Sequence, residues 1–128
     1  MRIFIIIFLL LIQCKDVKIN IYLKSESPNK NLVAEIFNIE DKSKADFLTN
    51  GTHFLSITNL LDSTKILVEK DLLNGQGGYE SGIVNIFWID NNHIFIERYL
   101  DDRKQNLIFS LKEIKFKNIG DSTVSIIN

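Results

Sequence analysis

The side chains that could do chemistry are few and dispersed. His53 and His93 are the only histidines, and neither has companions at metal-ligand spacing, whereas a zinc site needs three or four ligands. Glu97, Asp101 and Asp102 could join His93 in general acid–base work. The two aspartates, however, precede Arg103 and Lys104 in a turn-like stretch, where such charges are ordinarily solvated. Asn74-Gly75-Gln76-Gly77-Gly78 is glycine-rich but lacks the Lys-Ser/Thr of a phosphate-cradling loop. No serine sits in a G-x-S-x-G elbow, and the spaced Asp/Asn and terminal Glu of a calcium loop are missing. The expectation is a protein that is not an enzyme and uses no metal or cofactor. One residue stands apart. Cys14 is the only cysteine, and a lone cysteine can form no internal disulfide.

Its surroundings suggest another use for the thiol. Met1-Arg2 supplies one positive charge, and Ile3 to Ile12 is an unbroken apolar run. As a helix that run spans about 15 Å, half of the ~30 Å hydrocarbon core, so it is too short to cross a membrane. A basic start and a short apolar stretch form the pattern of a secretory signal. Leu11-Ile12-Gln13-Cys14 resembles a bacterial lipobox, with Gln13 where a small residue is usual. The resemblance implies cleavage before Cys14, and diacylglyceryl and palmitate chains on the cysteine. Two or more chains anchor stably, where one binds only marginally. Residues 1–13 are therefore expected to be a lipoprotein signal peptide. Residues 14–26 would be the lipidated cysteine and the start of the first strand, and 27–128 a β-rich globular domain. The location implied is a bacterial cell envelope, with the membrane as partner through the lipid anchor.

Composition agrees with a folded domain on a tether: 45% of residues are hydrophobic and 24% charged. Fifteen Lys and Arg against sixteen Asp and Glu, scattered along the chain, offer no basic face. Nucleic acid is therefore not an expected partner.

The elements that must position these residues have a period of two, the signature of strands. Val17, Ile19, Ile21 and Leu23 alternate with Lys18, Asn20, Tyr22 and Lys24. Ser27-Pro28-Asn29-Lys30 is a turn, with Pro28 presetting φ. Strands are predicted at about 31–39, 52–59 and 64–69, with a loop from Glu40 to Asp46 and a turn at Asp62-Ser63. Further strands at 83–89 and 93–100 are joined by Asn91-Asn92. Asp101 to Lys104 turns the chain into a strand at 106–117, whose parity switch predicts a bulge near Lys112-Glu113. A turn at 118–121 leads to a last strand at 123–127. The fold class is all-β: a single antiparallel sandwich, meander or open barrel of about seven to eight short strands.

The Asn91-Asn92 hairpin permits a sharper reading. A two-residue type I′ turn pairs Trp88 with Phe95 on one face, and Ile89 with Ile94 and Phe87 with Ile96 on the other. Both faces are then apolar near the turn. Either the hairpin is buried on both sides, or one face meets a partner. Trp88, Phe95, Asn91 and Asn92 are the candidate interaction residues.

Ser27-Pro28-Asn29-Lys30, together with Trp88-Ile89-Asp90-Asn91-Asn92-His93-Ile94-Phe95-Ile96, resembles a pattern in small uncharacterised bacterial lipoproteins. These share a signal and lipobox, an SPNGK-like turn and a W-x-D/N-N-x-hydrophobic hairpin; here Lys30 stands where glycine is common. The same elements resemble parts of a TolB-like propeller blade, but the chain has no internal repeat from which to build a propeller. The resemblance implies a β fold and carries over no activity. The function expected is an envelope lipoprotein acting as a non-catalytic binding or interaction module, with an envelope protein as candidate partner. The alternatives are an inhibitor or immunity-type protein acting on an exported enzyme, and a small hydrolase using Glu97, Asp101, Asp102 or His93.

Overall fold

The computed structural model describes residues 17–41, 53–68, 70–73 and 81–124. Cys14 and the preceding apolar run, the Asn74 to Gly78 stretch and most of the expected loop from Glu40 to Asp46 lie outside them.

The described residues form strands without a helix, as the period of two requires. β1 (Val17–Glu26), β2 (Leu32–Asp41), β3 (Phe54–Asn59) and β4 (Lys65–Val68) make one antiparallel sheet in that order. β5 (Gly82–Trp88), β6 (His93–Leu100), β8 (Asn106–Ser110) and β9 (Lys115–Gly120) make a second, and two-residue β7 (Arg103–Lys104) pairs with β6. The sheets pack face to face and do not close into a barrel, so the expected all-β class is correct and the architecture is a sandwich. Ala34, Ile36, Leu55 and Ile57 of the first sheet meet Ile86, Trp88, Ile94, Ile96, Leu107 and Phe109 of the second, with Leu72 between them. Each of the larger side chains contributes about 1.5–3 kcal/mol by leaving water.

Loop chemistry fixes the register. In the first hairpin the Lys30 N–H bonds the Ser27 carbonyl at 2.8 Å, and Asn29 Oδ1 accepts from the Ser27 hydroxyl and the Asn31 N–H. Lys30 itself has φ of 62°. That is the left-handed region, which glycine enters more readily than lysine.

Three expectations need correcting. The β5–β6 hairpin has no two-residue turn: Trp88 pairs with Ile94 and Phe87 with Phe95, one residue out of the predicted register. The reason is Asp90, whose Oδ1 accepts from the Asn92 N–H at 2.7 Å and the His93 N–H at 2.8 Å. This cap closes a three-residue loop, Asp90 to Asn92, with Ile89 N–H bonded to the His93 carbonyl. A one-residue slip exchanges faces, so Trp88 and Phe95 lie on opposite sides of the sheet. The mirror-type turn occurs instead at Asp101-Asp102, with φ of 50° and 65°. Second, residues 106–117 are not one bulged strand but the hairpin β8–β9, and its turn at 111–114 accounts for the parity switch. Third, the chain is still in β9 through Gly120, so the last turn begins later than predicted. Thr123 and Val124 are not strand, and 125–128 lie outside the described residues.

A bulge changes the first strand as well. Ile21 pairs with Phe37 but Leu23 pairs with Ile36, leaving Tyr22 as the extra residue. The alternation running unbroken from Ile19 to Leu23 in sequence is thus divided in space. Leu23 packs on the core, while Ile19 and Ile21 point to the outside of the sandwich.

Candidate functional site

The outer face of the first sheet is the candidate site, and it follows from that bulge. Outward from β1 come Ile19 and Ile21; from β2, Glu35, Phe37 and Ile39; from β3, Phe54 and Ser56; from β4, Lys65 and Leu67. Ile19 is 61% exposed, Ile21 52% and Leu67 51%. Single exposed aliphatics are commonplace, but a contiguous set is not. Most of these residues line a shallow groove of about 210 Å³. Its Phe37 floor is braced by Phe54, ring centroids 5.9 Å apart. A groove this small and open is poorly suited to enclosing a drug-sized ligand and well suited to lying against another surface.

Ile19, Ile21, Phe37, Ile39 and Phe54 gather at the end of the sheet where β1 begins, and Leu67 lies one row further along, opposite Ser56. At the end where β1 begins the inner face is polar. Asn20 Nδ2 donates to Asn38 Oδ1 at 3.1 Å across the strand pair, and His53, just ahead of β3, follows by alternation. Asn38 is fully buried, and neither its Nδ2 nor His53 Nδ1 has a hydrogen-bond partner among the described residues. Burial pushes the His53 imidazole below its usual pKa, against the pull of Asp71. Polar inside and apolar outside is the reverse of the usual one-wet-face sheet.

A second polar group closes the same end from the opposite sheet. Buried Arg98 of β6 donates through Nε to the Gln105 carbonyl at 2.7 Å and through Nη1 to the Leu72 carbonyl. Burial lowers its pKa and nearby Asp71 opposes the shift. Buried Asn106 accepts from the Arg98 N–H and donates to the Ser122 carbonyl. Asp71 in turn accepts from the His53 and Leu73 backbone N–H groups. These bonds join side chains to backbone groups and so pin loops to strands.

The residues singled out from the sequence do not assemble into one site. Trp88 is a core residue, 2% exposed, whose Nε1 donates to the Ser25 carbonyl at 2.8 Å and ties the two sheets together. Phe95 faces the other way, 3% exposed, stacked on Phe87 at 4.8 Å. Asn91 Oδ1 accepts the Asn29 N–H, and Asn92 accepts the Leu111 N–H on its carbonyl and the Lys112 N–H on Oδ1. These two asparagines therefore bracket three loops at the far end of the sandwich. Cys14 lies outside the described residues.

The candidate carboxylates are equally dispersed. His93 Nδ1 is 3.0 Å from both Asp90 oxygens. Desolvation works to raise the Asp90 carboxyl, but hydrogen bonds from the Asn92 N–H and from His93 outweigh it and hold it below the usual range. Asp101 and Asp102 are exposed at the opposite end of β6, about 25 Å away at strand rise. Glu97 lies between, 3.4 Å from Lys104. The concavity of about 440 Å³ beside Asp101, Arg103 and Gln105 contains none of the other three acid–base candidates. Among the described residues no group of three or more His, Cys, Asp or Glu could hold a metal ion.

Ile19, Ile21, Ile39 and Leu67 were not identifiable as a site from the sequence. The available signal was the run Ile36-Phe37-Asn38-Ile39, apolar on both parities, which already implied that one outward face of β2 would be apolar. No family model, no curated protein and no solved structure matches this chain.

Proposed function

We propose that the protein is a lipid-anchored bacterial envelope lipoprotein, tethered through Cys14, that works as a non-catalytic binding module with the outer face of its first sheet as the contact surface. The observation that carries the contact surface is the inverted end of that sheet, where isoleucines face solvent and asparagines face the core. The anchor rests on the apolar run and Leu11-Ile12-Gln13-Cys14. The non-catalytic reading rests on the distance between His93 and Asp101-Asp102, which prevents them from sharing a substrate.

Mass spectrometry of the protein taken from its native membrane tests the anchor: acyl chains on an N-terminal Cys14 are expected. A membrane-bound chain whose Cys14 is an unmodified internal residue overturns the lipoprotein reading. Photocrosslinkers at Leu67 and at Lys117 test the surface, with products expected at Leu67 above those at Lys117. Equal yields at the two positions would remove the first sheet's claim to be the contact face.

A further inference from the structure

We infer that the first sheet's outer face docks on the phospholipid bilayer that holds the anchor, so that the domain lies on the membrane instead of swinging above it. This rests on the reading of Cys14 as the anchor and names the partner of the same surface.

Continuity of the chain is the first argument. Only Lys15 and Asp16 separate Cys14 from β1. From Cys14 to Ile19 the chain can extend at most about 18 Å, so the start of β1 is never far from the headgroups. The second argument is where the apolar atoms lie. Ile19 and Ile21 belong to the half of β1 nearest Cys14, and their cross-strand partners Ile39 and Phe37 belong to the adjoining end of β2. Toward the other end of the same face the pairs become Lys24 with Glu35 and Thr58 with Lys65. Ile19, Ile21, Phe37, Ile39 and Phe54 thus occupy two adjacent rows near the anchor, directly behind the first register position, Val17 with Asp41. The lysines beside the groove are the third argument. The groove's one carboxylate, Glu35, is 3.9 Å from Lys24 Nζ, and Lys65 sits on the groove's rim. Lysine stems can lie along apolar surface with the ammonium at the headgroups. Side chains such as these reach about 5–10 Å into the headgroup–acyl boundary.

Tryptophan placed on either face reads the contact directly. Ile21→Trp, Leu67→Trp and, on the second sheet's outer face, Lys117→Trp change exposed side chains, and native Trp88 supplies a constant buried background. The full chain, purified from membranes, is reconstituted into phosphatidylethanolamine–phosphatidylglycerol vesicles carrying nitroxide-labelled phosphatidylcholine, and Cys14 acylation is checked by intact mass. Quenching at Ile21→Trp and Leu67→Trp is expected to exceed that at Lys117→Trp by at least about twofold. Equal or absent quenching in an acylated, vesicle-bound chain overturns the docking and leaves the anchor standing. Selective quenching in a vesicle-bound chain that proves unacylated leaves the docking standing and removes the anchor. Shielding of Ile21→Trp from aqueous iodide without lipid quenching means a protein or second copy covers the face, and overturns the proposal. A chain that does not hold to vesicles at all overturns both readings.

Discussion

The two sheets contribute alternating aliphatic side chains to one core, yet their outer faces are opposites. On the second sheet Phe87 and Phe95 stack on each other and Phe95 is 3% exposed. On the first, Ile19, Ile21 and Leu67 are each more than half exposed beside a groove. Each face carries a local group of apolar residues, Phe87, Phe95 and Ile108 on the second sheet and Ile19, Ile21, Phe37 and Ile39 on the first. What separates them is whether the sheet covers its own apolar atoms. The second sheet does so with a cross-strand aromatic pair; the first leaves its aliphatics to be covered by something else.

Mutations can break or sharpen this contrast. Phe95→Ala should cost the most, about 3–4 kcal/mol by urea unfolding followed at Trp88, whereas Ile21→Asn on the other outer face should stay within about 0.5 kcal/mol. Comparable losses at the two positions would mean that the first sheet's face is packed after all. Arg98→Met removes a buried cation from the Gln105 and Leu72 carbonyls. A loss of about 2–3 kcal/mol is expected, with earlier proteolysis near Leu72. Asn92→Ala frees the Lys112 N–H and should cost about 1 kcal/mol, read as faster amide exchange in the 111–114 turn. In the opposite direction, exposed Ile114 has φ of 53°, a conformation costly for a β-branched residue. Ile114→Asn should therefore raise stability by about 1 kcal/mol.

The inverted end of the first sheet also predicts a pH dependence. His53 is held below its unfolded value of 6.5, chiefly by burial. Its neutral form is therefore the one favoured by folding. The contribution is fully present above pH 6.5 and is lost as pH falls through the depressed folded value. Urea midpoints measured between pH 7 and pH 5 should decline, and His53→Gln should flatten that decline. An unchanged slope in His53→Gln would place the titrating group elsewhere.

Much of the fold was legible from short-range patterns. The strands around Ile19, Ile36, Ile57, Ile86 and Ile96 follow from period-two alternation, and the turn at Ser27 to Lys30 from Pro28 and Asn29. The failures share one cause. A pair of asparagines reads as a two-residue turn, but Asp90, one position earlier, caps the loop and shifts the register by one. The parity switch after Leu111 reads as a bulge, but a four-residue turn produces the same switch. The candidate site depended on the bulge at Tyr22, which leaves no mark in an alternation that continues unbroken through Leu23.

The sequence by itself determined that this chain is built of short antiparallel strands, and roughly where most of them turn, because backbone propensity and turn chemistry are local. Only the tertiary structure decided which side of each strand is inside. Alternation assigns residues to two faces without saying which face is buried, and a single extra residue exchanges them. That exchange at Tyr22 sends Leu23 into the core and leaves Ile19 and Ile21 facing outward.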